Sequence, residues 1–249
     1  MKPEEFKLTP NTSVLADYAY SEILKLILAG EIEPGSRIRE DILAVQLGIS
    51  RTPVREAVNR LTQNGFITII KRKGLYCVKI TRQDLLNLLE LRVALESLSV
   101  EKCIDLVTDE DIEAIQNIID DFNKQLSIIM THDEKVIRKE LALIHNDYDV
   151  RFHVGIARIS NSVRLIQYVT DVETMLLIAR QRIYRSDERI NIVQLSWTQH
   201  QQMVESIRTR NKDAAKALLE NHLKLMLDTQ VNIDYSDRTT ESLVPEAHT

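Results

Sequence analysis

Apolar positions recur every three or four residues along most of this chain, with two short interruptions. Between residues 13 and 29, Leu15, Tyr18, Ile23, Leu26 and Ile27 mark the inward stripe of a helix, and Gly30 stops it. A brief periodic segment at 40–47 leads to a tight turn at Gly48 and a helix over 51–64, with Ser50 as its N-cap. Pro53 fits there because first-turn N–H groups have no intrahelical partner. Val54, Ala57, Val58 and Leu61 form the core stripe of that helix. The interruptions are 67–71 and 75–80, rich in β-branched residues, which predict two strands with Gly74 at the turn.

From Thr81 the pattern changes. Thr81 with Asp84 and Thr108 with Asp111 read as capping boxes. Six long helices are expected, at about 82–106, 109–130, 134–160, 162–185, 195–209 and 211–232, with Asn161 as a turn between two of them. Five of the six glycines lie at or before Gly74, so turn-rich structure is confined to the first third. The fold class predicted is mainly α: a small unit with two strands, then an all-α domain. The expected divisions are an N-terminal arm at 1–12, a first domain at 13–80, a helical domain at 81–232 and a polar, frayed tail at 233–249.

Composition sharpens this division. The formal net charge is −5, but residues 14–82 hold eleven Lys/Arg against seven Asp/Glu, a net of +4. Residues 1–13 balance, and 83–249 carry −9. Such asymmetry assigns a polyanionic partner to the first part only. No apolar run reaches the length of a transmembrane helix, and the first ten residues lack the apolar core of a secretory signal. Cys77 and Cys103 are distant in sequence and read as reduced thiols. A cytoplasmic protein with no membrane partner is therefore expected.

The order of elements in the first domain is helix, turn, helix, wing. That is how a protein places one helix in the major groove and a hairpin beside it. Arg51 and Arg55, four residues apart, share one helix face. Arginine pairs bidentately with guanine, and Thr52 can bond a base or a phosphate. Arg60 lies further along, toward the phosphate wall, and Lys71, Arg72 and Lys73 make a basic wing tip. The string PGSRIREDILAVQLGISRTPVREAVNRL resembles the winged helix-turn-helix of GntR-type transcriptional regulators, over roughly residues 14–80. The resemblance implies that Arg51, Thr52 and Arg55 contact the operator, with Gly74 at the wing turn. Asp41 departs from relatives that carry a basic residue there.

In the helical domain, Asp149 and His153 are spaced i, i+4 on one helix. His200 and His222 fall on the last two helices, which an antiparallel arrangement can bring together. One carboxylate and three imidazoles suit Zn²⁺, Ni²⁺, Mn²⁺ or Fe²⁺, but core or surface histidines give the same pattern, and His145 extends the same face by one turn. The layout ELRVALE, DVRFHVGIARISNSVRL, WTQHQQMVESIRTRNKDAAKALLENHL is similar to the FCD effector-binding domain of the FadR-like branch, over roughly 82–232. The resemblance implies an antiparallel helical bundle and a divalent metal, zinc foremost, on Asp149, His153, His200 and His222. It implies that Arg92 pairs with the carboxylate of an effector; a structural ion pair with Glu96 is the other reading. Arg180, Arg182 and Tyr184 are further candidates near the effector, and Trp197 reads as core.

The function expected is that of a homodimeric regulator, a repressor rather than an enzyme. It binds a near-palindromic double-stranded DNA operator and responds to a small organic or sugar acid. Two rivals stand beside it: a winged-helix regulator with a purely structural metal and no effector, and a metal-dependent enzyme.

Overall fold

A computed structural model of the chain describes residues 12–180 and 189–234. It divides into two compact units between Lys79 and Ile80.

The first unit contains α1 (Thr12–Leu28), β1 (Arg37–Ile38), α2 (Glu40–Leu47), α3 (Arg51–Gln63), β2 (Ile67–Ile70) and β3 (Gly74–Cys77). Its sheet has the order β1-β3-β2, antiparallel throughout. β1 was not expected, because two residues are too few to show a period. The buried stripe of α1 is Ala16, Ala19, Ile23 and Ile27. Tyr18 is exposed, and Leu15 and Leu26 are half-buried, so two alanines supply the close contacts assigned to larger side chains. Val54, Ala57, Val58 and Leu61 are all fully buried, as the period of α3 requires. Gly48 ends α2 at φ +66, and its region of the map explains why glycine stands there. Ser50 has the extended backbone of an N-cap, but its hydroxyl makes no capping hydrogen bond.

The wing differs from expectation at its tip. The turn consists of Lys71, Arg72 and Lys73, with Arg72 at φ +65. Gly74 is the first residue of β3, paired with Ile70, and its φ of +114 suits glycine. All three turn residues are exposed.

The second unit contains α4 (Arg82–Leu106), α5 (Asp109–Ile129), α6 (Glu134–Ile159), α7 (Val163–Arg180), α8 (Arg189–Arg208) and α9 (Lys212–Asp234). Both capping boxes form: Thr81 and Thr108 accept from the backbone N–H groups of Asp84 and Asp111, whose carboxylates accept from the cap N–H groups in return. Asn161 makes the turn after α6 at φ +52. α8 begins six residues earlier than expected. Connections of three or four residues reverse the chain after α5, α6 and α8, which makes antiparallel neighbours. The main core gathers Phe122 from α5, Phe152 and Ile156 from α6, Trp197 and Met203 from α8 and Leu219 from α9. A second cluster packs Leu85 and Leu89 of α4 on Val172 and Leu176 of α7. Cys77 and Cys103 are free and buried, and burial pushes both thiols up, to about 11 and about 12.

Candidate metal centre and nucleic-acid interface

Burying an ionisable group is unfavourable unless a partner compensates. α4, α6, α7, α8 and α9 nevertheless bring Arg92, Glu96, Asp149, His153, Glu173, His200 and His222 into their shared interior, each at most 3% exposed. Asp149 and His153 are one turn apart on α6; His200 comes from α8 and His222 from α9.

Four donor atoms of this cluster converge. His200 Nε2 is 3.2 Å from His153 Nε2 and 3.3 Å from His222 Nε2. Asp149 Oδ1 is 3.6 Å from His153 Nε2, 3.6 Å from His200 Nε2 and 4.0 Å from His222 Nε2. Donors about 2.1 Å from one ion stand about 3.4 Å apart at tetrahedral angles and about 3.0 Å apart as octahedral neighbours. The observed separations fit a single divalent ion slightly relaxed from either arrangement. These four are the set that offers one ligand atom each within 4.8 Å of one another among the described residues.

Outer contacts aim the lone pairs inward. His153 Nδ1 lies 2.6 Å from Glu96 Oε2, and His222 Nδ1 lies 3.2 Å from Gln199 Oε1. Both contacts favour a proton on Nδ1, which directs Nε2 of each ring toward the centre of the cluster; His153 must lose its Nε2 proton before it can ligate. His200 Nδ1 has no hydrogen-bond partner. Its ring is instead held by packing: Phe152 stacks on it at 4.1 Å and Trp197 meets it edge-on at 4.7 Å. His145 accepts the Trp197 indole N–H at 3.1 Å and is not one of the four. Trp197 is 4% exposed and stacked on Phe122, a core position as expected.

The electrostatics divide the three imidazoles: two are kept neutral and one is favoured as a cation. Burial lowers the tendency of His153 to hold a proton, but Glu96 outweighs this and its pKa rises to about 9. Burial drives His200 and His222 well below the usual imidazole value, and the neighbouring imidazoles add to this. Glu96, despite burial, is held near 2 by Arg92 and His153. Arg92 meets three carboxylates: Nε pairs with Glu96 Oε1 at 2.7 Å and with Glu173, and Nη2 is 3.6 Å from Asp149 Oδ2. Glu173 also shares a hydrogen bond with Glu96, so Arg92 and its three carboxylates form one connected buried network.

The Arg92–Glu96 pair expected at i, i+4 is thus present, within a larger network. Glu173 escaped the reading of the sequence. Its signal was an acid four residues after Val169 and three before Leu176, on the buried stripe of α7. Arg182, Tyr184 and the side chain of Arg180 lie outside the described residues.

In the first unit, Arg51, Thr52 and Arg55 are exposed on one side of α3, opposite its buried stripe. Lys71, Arg72 and Lys73 are exposed on the wing, and Gly74 is half-buried. Arg60 is engaged within the unit: it pairs with Asp17 at 2.6 Å and lies over the Tyr20 ring at 4.7 Å. Asp41 pairs with Arg39 at 2.7 Å.

A winged helix-turn-helix followed by a separate all-α domain is the architecture of a two-domain DNA-binding regulator. Residues 15–77 match the family model described as bacterial regulatory proteins, gntR family, and residues 87–225 match the FCD domain. The chain belongs to the GntR family of transcriptional regulators, with an FCD domain as its second part, and is not an enzyme. It is 27% identical to the regulator YdhC of Bacillus subtilis, covering 86% of this chain and 89% of that protein. It is 29% identical to the Nta operon transcriptional regulator of Aminobacter aminovorans, over 80% of this chain and 87% of that protein. The repressor RspR of Escherichia coli is 24% identical, over 95% and 98% of the respective chains. Among solved structures, Escherichia coli McbR/YncC superposes with a TM-score of 0.73 at 16% identity, covering 88% of this chain and 97% of that one. A GntR regulator from Rhodococcus sp. RHA1 gives 0.69 at 19% identity, covering 90% and 99%. At these identities the likeness is one of fold. No helix among the described residues is long and apolar enough to cross a membrane.

Proposed function

We propose that this chain is a homodimeric repressor whose operator binding responds to an organic acid bound beside a divalent metal, zinc foremost. The observation that carries the reading is the convergence of Asp149 Oδ1 with the Nε2 atoms of His153, His200 and His222, all at most 1% exposed. Those four residues would hold the ion, and the ion would offer Lewis-acidic positions to a ligand oxygen. Arg92 supports an acid as that ligand: Nη1 and Nη2 are buried and make no hydrogen bond.

Arg51, Thr52 and Arg55 are the proposed base and phosphate contacts, with Lys71, Arg72 and Lys73 on the flanking backbone and Gly74 shaping the wing. Arg60 contributes a phosphate contact only by exchanging its Asp17 partner. Leu91 and Leu98, exposed two turns apart on α4, support pairing with a second copy through the helical unit. A two-fold dimer reads a near-palindromic operator. Repression is supported by relatives such as RspR and the gluconate operon repressor of Bacillus licheniformis.

The complete burial of the four ligands favours one other reading, a sealed structural ion with no effector. Selection of bound fragments from a random DNA pool, run with wild type and His222→Ala and paired with elemental analysis, tests the proposal. Enrichment of a palindrome and one metal per chain in wild type, with metal lost in the variant, supports it. Full metal occupancy in the variant, or no enrichment, refutes the corresponding part. Calorimetry with organic and sugar acids separates the sealed ion, which gives no heat, from the ligand site.

A further inference from the structure

Strand pairing decides which side chains of the winged unit share a face. Arg37 of β1 stands opposite Tyr76 of β3, and Tyr76 stands opposite Thr68 of β2. Cross-strand partners point the same way, and Gly74 lies two residues from Tyr76, so it falls on that face too. Ile38, Ile67 and Cys77 are buried on the other face. Arg37 is therefore on the outer face, exposed, at an edge of the sheet. Its side chain leans along the strands rather than standing straight up. Nε and Nη2 lie 3.5 Å and 3.6 Å from the position a Cβ on residue 74 would take. The guanidinium thus reaches two residues, about 7 Å, toward the wing tip and lies against the backbone of Gly74. A side chain at 74 would grow into that place, and the φ of +114 already selects glycine there. Among the described residues no carboxylate pairs with Arg37. Arg39, two residues on, is forked onto Asp41 at 2.7 Å and 3.2 Å.

We propose that Arg37 is a fourth cation of the wing, a DNA phosphate contact that strand pairing delivers to the base of the tip. Lys71, Arg72 and Lys73 form the turn itself. Arg37 stands behind them, which suits it to the phosphate backbone rather than to base edges. A guanidinium is a planar, pre-organised donor fork, so little freedom is lost when it meets a phosphate. Gly74 then has a second use besides the turn: it is the floor on which that guanidinium lies. This rests on the reading of the wing tip proposed above.

A random-sequence DNA duplex is the probe, because a phosphate contact is indifferent to sequence and needs no known operator. Anisotropy of the labelled duplex gives the affinity of full-length wild type and variants at several salt concentrations. Losing one phosphate contact lowers the slope of log affinity against log salt by about 0.9 per winged helix bound, which is about eightfold over a tenfold change in salt. Arg37→Gln is expected to show that loss. Arg37→Lys, which keeps the charge, is expected to retain most of the slope. Lys79→Gln removes the same charge beside Gly35, at the end of the sheet away from the tip, and is expected to leave the slope unchanged. An unchanged slope in Arg37→Gln overturns the assignment. So does an equal loss in Lys79→Gln, which would make the effect one of net charge, or a full loss in Arg37→Lys. Lys73→Ala is measured alongside. A loss there with none in Arg37→Gln strikes Arg37 alone, and no loss in either strikes the reading of the wing as well.

Discussion

Replacing Glu96 with glutamine separates two opposing effects of one carboxylate on the metal centre. Glu96 Oε2 lies 2.6 Å from His153 Nδ1 and raises the pKa of that imidazole to about 9. At pH 7 His153 then carries an extra proton on Nε2, which a metal must expel. His200 and His222 bring none, because burial keeps both neutral. Apparent affinity of the wild type should therefore rise about tenfold per pH unit from pH 7 to about 9, roughly a hundredfold in all, with one proton released per ion. Glu96→Gln keeps the shape but removes the anion. The proton then competes only below about pH 6.5, so the rise flattens. At pH 9, where competition is absent in both proteins, the variant loses only the orienting and basicity contribution of the outer carboxylate, about 10–100-fold in affinity. Competition against a chromophoric chelator at pH 7, 8 and 9 measures all of this, and calorimetry in buffers of different ionisation enthalpy counts the proton. A wild-type affinity that does not change over this range, or a variant identical to wild type at pH 9, would refute the account.

Three further outcomes are expected. In metal-free protein, the raised pKa of His153 contributes stability that is full below about pH 6.5 and is lost as pH rises through about 9; zinc-loaded protein should lack this loss, and urea unfolding at pH 6.5 and 9.5 with and without zinc shows whether it does. Arg55→Ala should weaken operator binding by roughly 1–3 kcal/mol with metal content unchanged, whereas Lys73→Ala should weaken all sequences alike and reduce the salt slope by about 1; wild-type gel shifts with Arg55→Ala would sink the recognition-helix assignment. Arg210 donates to the carbonyl oxygens of Ile104 at 2.6 Å and Val107 at 2.9 Å, tying the α8–α9 turn to the end of α4, so Arg210→Ala should lower unfolding free energy by roughly 1.5–3 kcal/mol; an unchanged denaturation midpoint would show that the clamp is dispensable.

Much of this molecule is written locally. The stripe of Val54, Ala57, Val58 and Leu61, the capping boxes at Thr81 and Thr108, and the glycines at 30 and 48 each act within one or two helical turns, so their consequences follow from spacing alone. The i, i+4 pair Asp149 and His153 shared a face for the same reason. Local rules failed where contact partners came from elsewhere. Tyr18 fell on an apolar period yet is exposed, because Ala16 and Ala19 face the interior instead. β1 exists only because β3 offers it hydrogen bonds. Above all, the convergence of His200 and His222 on Asp149, the choice of those residues over His145, and the meeting of Glu173 with Arg92 depend on how five helices pack. A single sequence carries no record of which buried faces meet. That is decided by the joint packing of side chains distant along the chain, and with it the charges that share one low-dielectric interior.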